Sequence, residues 1–156
     1  MRTPCPRGFR LLSAAATALL SLGVVPVASA GDAAGCAAQF EEAQRIDMES
    51  FRDYDAQTFR DGHVNEAVTV FASGAVRYGI DAIMAALDSH FTQREAVWSW
   101  TELYRVVDGC NSAFILYDTT YVIPSSGFYQ HALTGVTYTH RGNKWLAVAD
   151  QGTLLP

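Results

Sequence analysis

Basic residues are scarce. The chain of 156 residues has 11 Lys and Arg against 16 Asp and Glu, for a net charge of −5, and Lys144 is its single lysine. A nucleic-acid-binding face needs a basic stripe, and none is present. The same deficit argues against anionic lipid surfaces. No Cys-x-x-Cys occurs, which excludes the usual dithiol redox centre. His63, His90, His131 and His140 are the only histidines. None pairs as H-x-H or H-x-x-x-H, so no metal is expected. There is no nucleophile elbow with Ser, His and Asp in order, and no phosphate loop. No cofactor is expected. Repeats, low-complexity tracts and internal linkers are also missing, so one domain is the reading.

The first thirty residues have the layout of a secretory signal peptide. Arg2, Arg7 and Arg10 form a positive start, Leu11 to Val27 is an uncharged apolar run, and Ala28-Ser29-Ala30 supplies a cleavage pattern. The run is shorter than a usual membrane-spanning helix. The expected mature domain spans 31–156. Losing three arginines and no acid takes the net charge from −5 to −8. A lipoprotein is the alternative, because Ala34-Gly35-Cys36 resembles the end of a lipobox. Asp32 counts against it, standing where such a segment should still be apolar.

Cys5 leaves with the leader. Cys36 and Cys110 remain, an even pair in an oxidising compartment, and a disulfide between them is expected.

Cys36 to about Asp61 reads as helix. Phe40, Ala43, Asp47, Phe51, Tyr54 and Thr58 form one stripe at helical spacing. A break is expected near Glu49 to Asp53. Ala67 to Phe71 and Ala75 to Tyr78 read as a short hairpin, and Asp81 to Phe91 as a further helix. Four long strands follow: Ala96 to Val107, Ser112 to Ile123, Phe128 to His140 and Lys144 to Gln151. Short turns between long strands imply an antiparallel meander. Helices and strands are segregated, which makes the class α+β.

This order resembles the nuclear transport factor 2-like superfamily, and more narrowly its SnoaL-like group. The residues carrying the likeness are Gly79-Ile80-Asp81-Ala82-Ile83, Val107-Asp108-Gly109-Cys110-Asn111-Ser112-Ala113, and Thr134-Gly135-Val136-Thr137-Tyr138 followed by Gly142 and Trp145. The resemblance implies a cone: a curved antiparallel sheet wrapped around N-terminal helices, with a pocket at the open end. It also implies either catalysis, as in ketosteroid isomerase, scytalone dehydratase and polyketide cyclases, or binding and assembly without catalysis. Isomerase machinery is not carried over. Phe71 stands where the base would fall, no acid lies near Thr134-Gly135, and Tyr54 is about one residue out of register.

Trp98, Trp100, Glu102 and Tyr104 share a face by strict alternation, which suggests a lined pocket, core packing or a dimer face. Trp98, Trp100, Tyr104, His131 and Tyr138 are the candidate pocket residues. Tyr54, His63, Glu102, Asp118 and Asp150 are the candidate acid–base residues. Asp150 closes an apolar strand face, where burial would raise its pKa; a turn-stabilising role is the other reading. Three functions stay open: a binder of a small apolar or aromatic molecule, an acid–base enzyme of the cyclase, isomerase or dehydratase type, and a docking domain. A homodimer through the sheet face is expected.

Overall fold

The computed structural model describes residues 30–156, with side chains from residue 34 onward. The leader and its cleavage site therefore lie outside the described residues, apart from Ala30. Helix α1 (Ala30–Arg52) and the short α2 (Ala56–Asp61) precede strand β1 (His63–Val70) and strand β2 (Val76–Tyr78). Two short helices, α3 (Ile80–Ala86) and α4 (Asp88–Gln93), lead into β3 (Val97–Asp108), β4 (Ser112–Ile123), β5 (Phe128–Arg141) and β6 (Lys144–Leu154). Among the described residues, no helix is long and apolar enough to cross a membrane.

The expected break in the first helix falls at Asp53 to Asp55, where Tyr54 takes a left-handed φ of 60°. Asp55 then caps α2 by accepting from the Thr58 backbone N–H at 3.0 Å. The expected third helix is split, since Leu87 leaves helical geometry between α3 and α4.

One six-stranded sheet forms, in the order β2-β1-β6-β5-β4-β3. The four long strands make the expected meander. β1 departs from the antiparallel pattern and runs parallel to β6. Register shifts between His63 and Val68, Glu102 and Tyr104, and Thr137 and Tyr138 add local twist, and the sheet curves around α1. At the β5–β6 turn, Gly142 and Asn143 both have positive φ (57° and 65°). That is the pattern of a two-residue turn whose twist matches the flanking strands.

The inner face of the sheet carries two apolar clusters. One gathers Cys36, Phe40 and Met48 of α1 with Ile115, Tyr117, Tyr138 and Trp145. The other gathers Phe59, Val64, Ala67, Ile80, Ile83 and Phe91 around α2 to α4. Trp145 fixes the start of α1, its indole N–H donating to the Cys36 carbonyl at 3.0 Å. Cys36 and Cys110 are joined, closing 74 positions of chain. A bridged Cys36 has no thiol left to carry lipid. The disulfide is compatible with an extracellular location.

Candidate functional site

A cavity of about 260 Å³ opens between the two clusters. Its wall is aromatic: Phe51, Phe59, Phe71, Trp98, Tyr121 and Phe128. Phe51 is the hub, within 5.3 Å of Trp98, 5.6 Å of Phe59 and 6.3 Å of Tyr121 by ring centroids. Met48, Val70, Leu87 and Val136 add apolar surface. Gly152 closes one side, where a Cβ would come within 3.0 Å of the Ala72 backbone nitrogen.

Against this apolar wall stand three titratable side chains: Asp47 from α1, His63 from the start of β1 and Asp150 from β6. Asp47 is 6% exposed. Its Oδ2 accepts from the Tyr138 hydroxyl at 2.7 Å, whereas its Oδ1 has no hydrogen-bond partner. His63 Nδ1 lies 3.9 Å from that Oδ1 and 2.7 Å from the Phe59 carbonyl oxygen. A carbonyl can only accept, so Nδ1 carries a proton and donates it there. Asp150 Oδ2 accepts from Thr69 Oγ1 at 2.7 Å.

Burial sets the electrostatics. Loss of solvation raises the Asp47 carboxyl above the ordinary carboxylate range, opposed by His63 and by the Tyr138 hydrogen bond. The same cause pushes Asp150 up to about 6, opposed by Thr69 and His63 and reinforced by Asp47. Tyr138 is driven well above its usual value by burial and by the neighbouring carboxylates. Proton occupancy at this floor therefore changes close to neutral pH. A group that titrates there can accept or donate a proton, or take a counter-ion in the proton's place.

The sequence-derived candidates separate sharply. His63, Asp150 and Trp98 line the cavity. Tyr138 lies beneath it, 1% exposed, and holds Asp47. Tyr54 points elsewhere, its hydroxyl bonded to the Ala96 carbonyl. Trp100 packs beside the first apolar cluster, with the Arg52 guanidinium 5.6 Å from its ring.

Glu102 is paired with Arg105 at 2.6 Å and does not line the cavity. Tyr104 does not share the face of Trp98 and Trp100. The irregularity between Glu102 and Tyr104 shifts the alternation, so Tyr104 stands opposite Leu116 on the outer face, 56% exposed. Asp118 and His131 are also on the outer face, joined to each other at 2.8 Å.

Sequence reasoning missed Asp47, Phe51, Phe59, Phe71, Tyr121 and Phe128 as cavity residues. Asp47 carried a signal, being an acid inside the apolar stripe of α1. The remaining two histidines are not cavity residues. His90 is buried, bonded to the Phe51 carbonyl and the Tyr121 hydroxyl. His140 packs on Trp145 at 5.1 Å. Among the described residues, no three His, Cys, Asp or Glu side chains group so as to hold a metal ion.

No family model matches the sequence, and no curated protein matches it either. Solved structures do match in shape. An NTF2-like protein with a cystatin-like fold from Novosphingobium aromaticivorans superposes with a TM-score of 0.66 at 17% identity, covering 78% of this chain and 83% of its own. An NTF-2 like protein of unknown function from Shewanella oneidensis gives 0.63 at 12% identity, with 75% and 98% covered. A protein with a cystatin-like fold from Caulobacter vibrioides gives 0.62 at 13% identity, with 78% and 91% covered. Helices cradled by a curved sheet, with a cavity between them, are thus the nuclear transport factor 2-like form of the cystatin-like fold, and this chain has that fold.

Proposed function

We propose that the protein is exported and binds one small apolar or aromatic molecule in the cavity, with the polar end of that molecule turned toward Asp47, His63 and Asp150. The observation that carries this reading is a buried, unpartnered carboxylate oxygen, Asp47 Oδ1, in a cavity whose wall is mostly aromatic and aliphatic. A buried polar atom without a partner is costly, and a bound polar group relieves that cost. The cavity is slightly below the ~300–1,000 Å³ usual for drug-sized ligands, so the ligand is small.

Native mass spectrometry of the secreted protein from its own host tests this reading. The expected spectrum shows a non-covalent adduct that disappears on denaturation and is absent from Ala72→Trp, which puts a bulky ring on the cavity lining. A bare protein that also shows no change of tryptophan fluorescence with any small apolar compound would sink it. The same spectrum reads the mature N-terminus, expected at Gly31.

A second reading, acid–base catalysis of the cyclase, isomerase or dehydratase type, is favoured by a separate observation. His63 and Asp150 face one cavity, and Asp150 titrates at about 6. Host metabolites consumed by the wild type but not by Asp150→Asn would support it.

A homodimer through the outer sheet face belongs to the same proposal. Tyr104, Val106 and Tyr129 are exposed there, and their strand partners Leu116, Phe114 and Val122 continue the apolar surface. Sedimentation velocity tests it, with a monomer at all accessible concentrations as the contrary result.

A further inference from the structure

We infer that the cavity selects a protonated primary amine, seated with its ammonium on the floor formed by Asp47, His63 and Asp150 and its apolar body against the aromatic wall. This rests on the pocket-binding reading above and narrows it to one ligand chemistry.

The argument begins with a count of donors and acceptors at the floor. Each carboxylate has one oxygen held by a hydroxyl: Asp47 by Tyr138 and Asp150 by Thr69, both at 2.7 Å. Asp47 Oδ1 is left without a partner. The Nδ1 proton of His63 is committed to the Phe59 carbonyl, and in the neutral ring the other nitrogen is an acceptor. With both carboxylates ionised and His63 neutral, these three side chains offer acceptors and no free donor. A primary ammonium brings three N–H donors and a positive charge. A carboxylate or phosphate ligand brings neither and would be repelled.

The lining contains no lysine or arginine. The arginines of α1 and α2 are occupied at the surface: Arg45 with Glu42 and Glu49, Arg52 with Asp53, and Arg60 with Asp81. Among the described residues, no lysine or arginine is therefore placed to neutralise the floor. Phe51, Phe59 and Trp98 present aromatic surface in the same cavity, and aromatic faces attract ammonium groups. The wall has donors of its own, the unpartnered Trp98 indole N–H and the Gln130 amide, but both are neutral and leave the negative charge of two carboxylates unmet.

The sign of the pH dependence follows from the groups that face Asp150: Thr69 and His63 from β1, Asp47 from α1 and Tyr138 from β5. Burial favours a proton on the two carboxyls of the empty floor. An ammonium replaces that proton, so amine binding strengthens as pH rises through about 6 and releases protons. An alkyl ammonium itself stays charged throughout, as lysine does with its pKa of ~10.4. A ligand that accepts a hydrogen bond from a protonated carboxyl shows the opposite slope.

The test uses three probes of one shape on the mature, disulfide-bonded protein: phenethylamine, phenethyl alcohol and hydrocinnamate. Affinity is read by titration calorimetry and by tryptophan fluorescence. The amine is expected to bind roughly ten- to hundredfold tighter than the alcohol near pH 8, the range of a charge-assisted hydrogen bond, with no detectable binding of the anion. The preference should shrink about tenfold by pH 5. Asp150→Asn and Asp47→Asn should each weaken the amine roughly tenfold while leaving the alcohol nearly unchanged. Equal affinity of amine and alcohol, or amine binding that tightens toward acid pH, overturns the inference while leaving a binding pocket in place. No response to any of the probes removes the pocket reading and the inference together. The wild-type comparison decides the matter even where a variant fails to fold.

Discussion

The Tyr138 hydroxyl donates to Asp47 Oδ2 across 2.7 Å, tying β5 to the middle of α1 over 91 positions of sequence. It is the only hydrogen bond that the Asp47 carboxylate accepts from a side chain among the described residues. Tyr138→Phe keeps the ring, which packs edge-on against Phe40 at 5.2 Å, and removes only the donor. Loss of a donor to a charged acceptor costs about 1.5–3 kcal/mol. The cost should be larger at about pH 8 than at about pH 5, because a protonated Asp47 does not depend on that donor in the same way. Urea unfolding at the two pH values measures it, and equal destabilisation at both would show that the proton occupancy of Asp47 does not change between them.

Asp150 makes a second, independent pH signature. Its carboxyl titrates at about 6 in the folded protein and near 3.9 in an unfolded chain. The folded state therefore holds the proton over that interval while the unfolded state has lost it. Stability contributed by this group is greatest below about pH 4 and declines as pH rises toward about 6, by on the order of 2–3 kcal/mol. Asp150→Asn should remove that decline. Subtracting the two pH–stability curves isolates the effect, and parallel curves between about pH 4 and 7 would refute the assignment.

Part of this site was legible in the sequence and part was not. The inner face of β4 alternates cleanly, with Ala113, Ile115, Tyr117 and Thr119 buried, because no bulge disturbs it. The same rule fails on β3, where one irregularity beyond Glu102 turns Tyr104 outward. A bulge adds one residue without any compositional mark, so strict alternation cannot reveal it. Asp150 was readable as an acid ending an apolar face. Asp47 was visible as a polar interruption of a helical stripe, but its significance depends on Tyr138 and His63, brought beside it only by the closure of the sheet. The helix break was expected near Glu49 to Asp53 and falls at Asp53 to Asp55, and its cause, the left-handed Tyr54, is a tertiary choice: the tyrosine hydroxyl reaches the Ala96 carbonyl.

The Cys36–Cys110 bridge joins the start of α1 to the turn between β3 and β4. Closing a loop of this length restricts the unfolded chain and contributes about 4 kcal/mol in the chain-entropy model. The double variant Cys36→Ser, Cys110→Ser should lower Tm by more than roughly 10 °C, and reductant should lower the wild-type Tm similarly while leaving the variant unchanged. Intact mass under non-reducing conditions reads the bridge directly, through the absence of two hydrogens.

His90 holds the far end of α1 from the side of α4. Its ring stacks on Phe51 at 3.8 Å between centroids. Its Nε2 donates to the Phe51 carbonyl at 2.8 Å, and its Nδ1 lies 3.1 Å from the Tyr121 hydroxyl. A neutral ring fits both bonds, with Nδ1 as acceptor, and burial lowers its pKa below the usual histidine value. His90→Leu keeps an apolar group of similar size but leaves a half-paired helix-end carbonyl and a tyrosine hydroxyl beside the cavity wall. A loss of roughly 1–3 kcal/mol near neutral pH is expected. The pH dependence has the opposite sign to that of Asp150. As pH falls below about 6.5 the unfolded chain protonates this histidine before the folded protein does, so the wild type loses stability that His90→Leu never had. The gap between the two proteins should therefore narrow toward acid pH. A gap that widens instead would mean that the folded protein holds a charged His90, and the hydrogen bond from Tyr121 would then have to be abandoned.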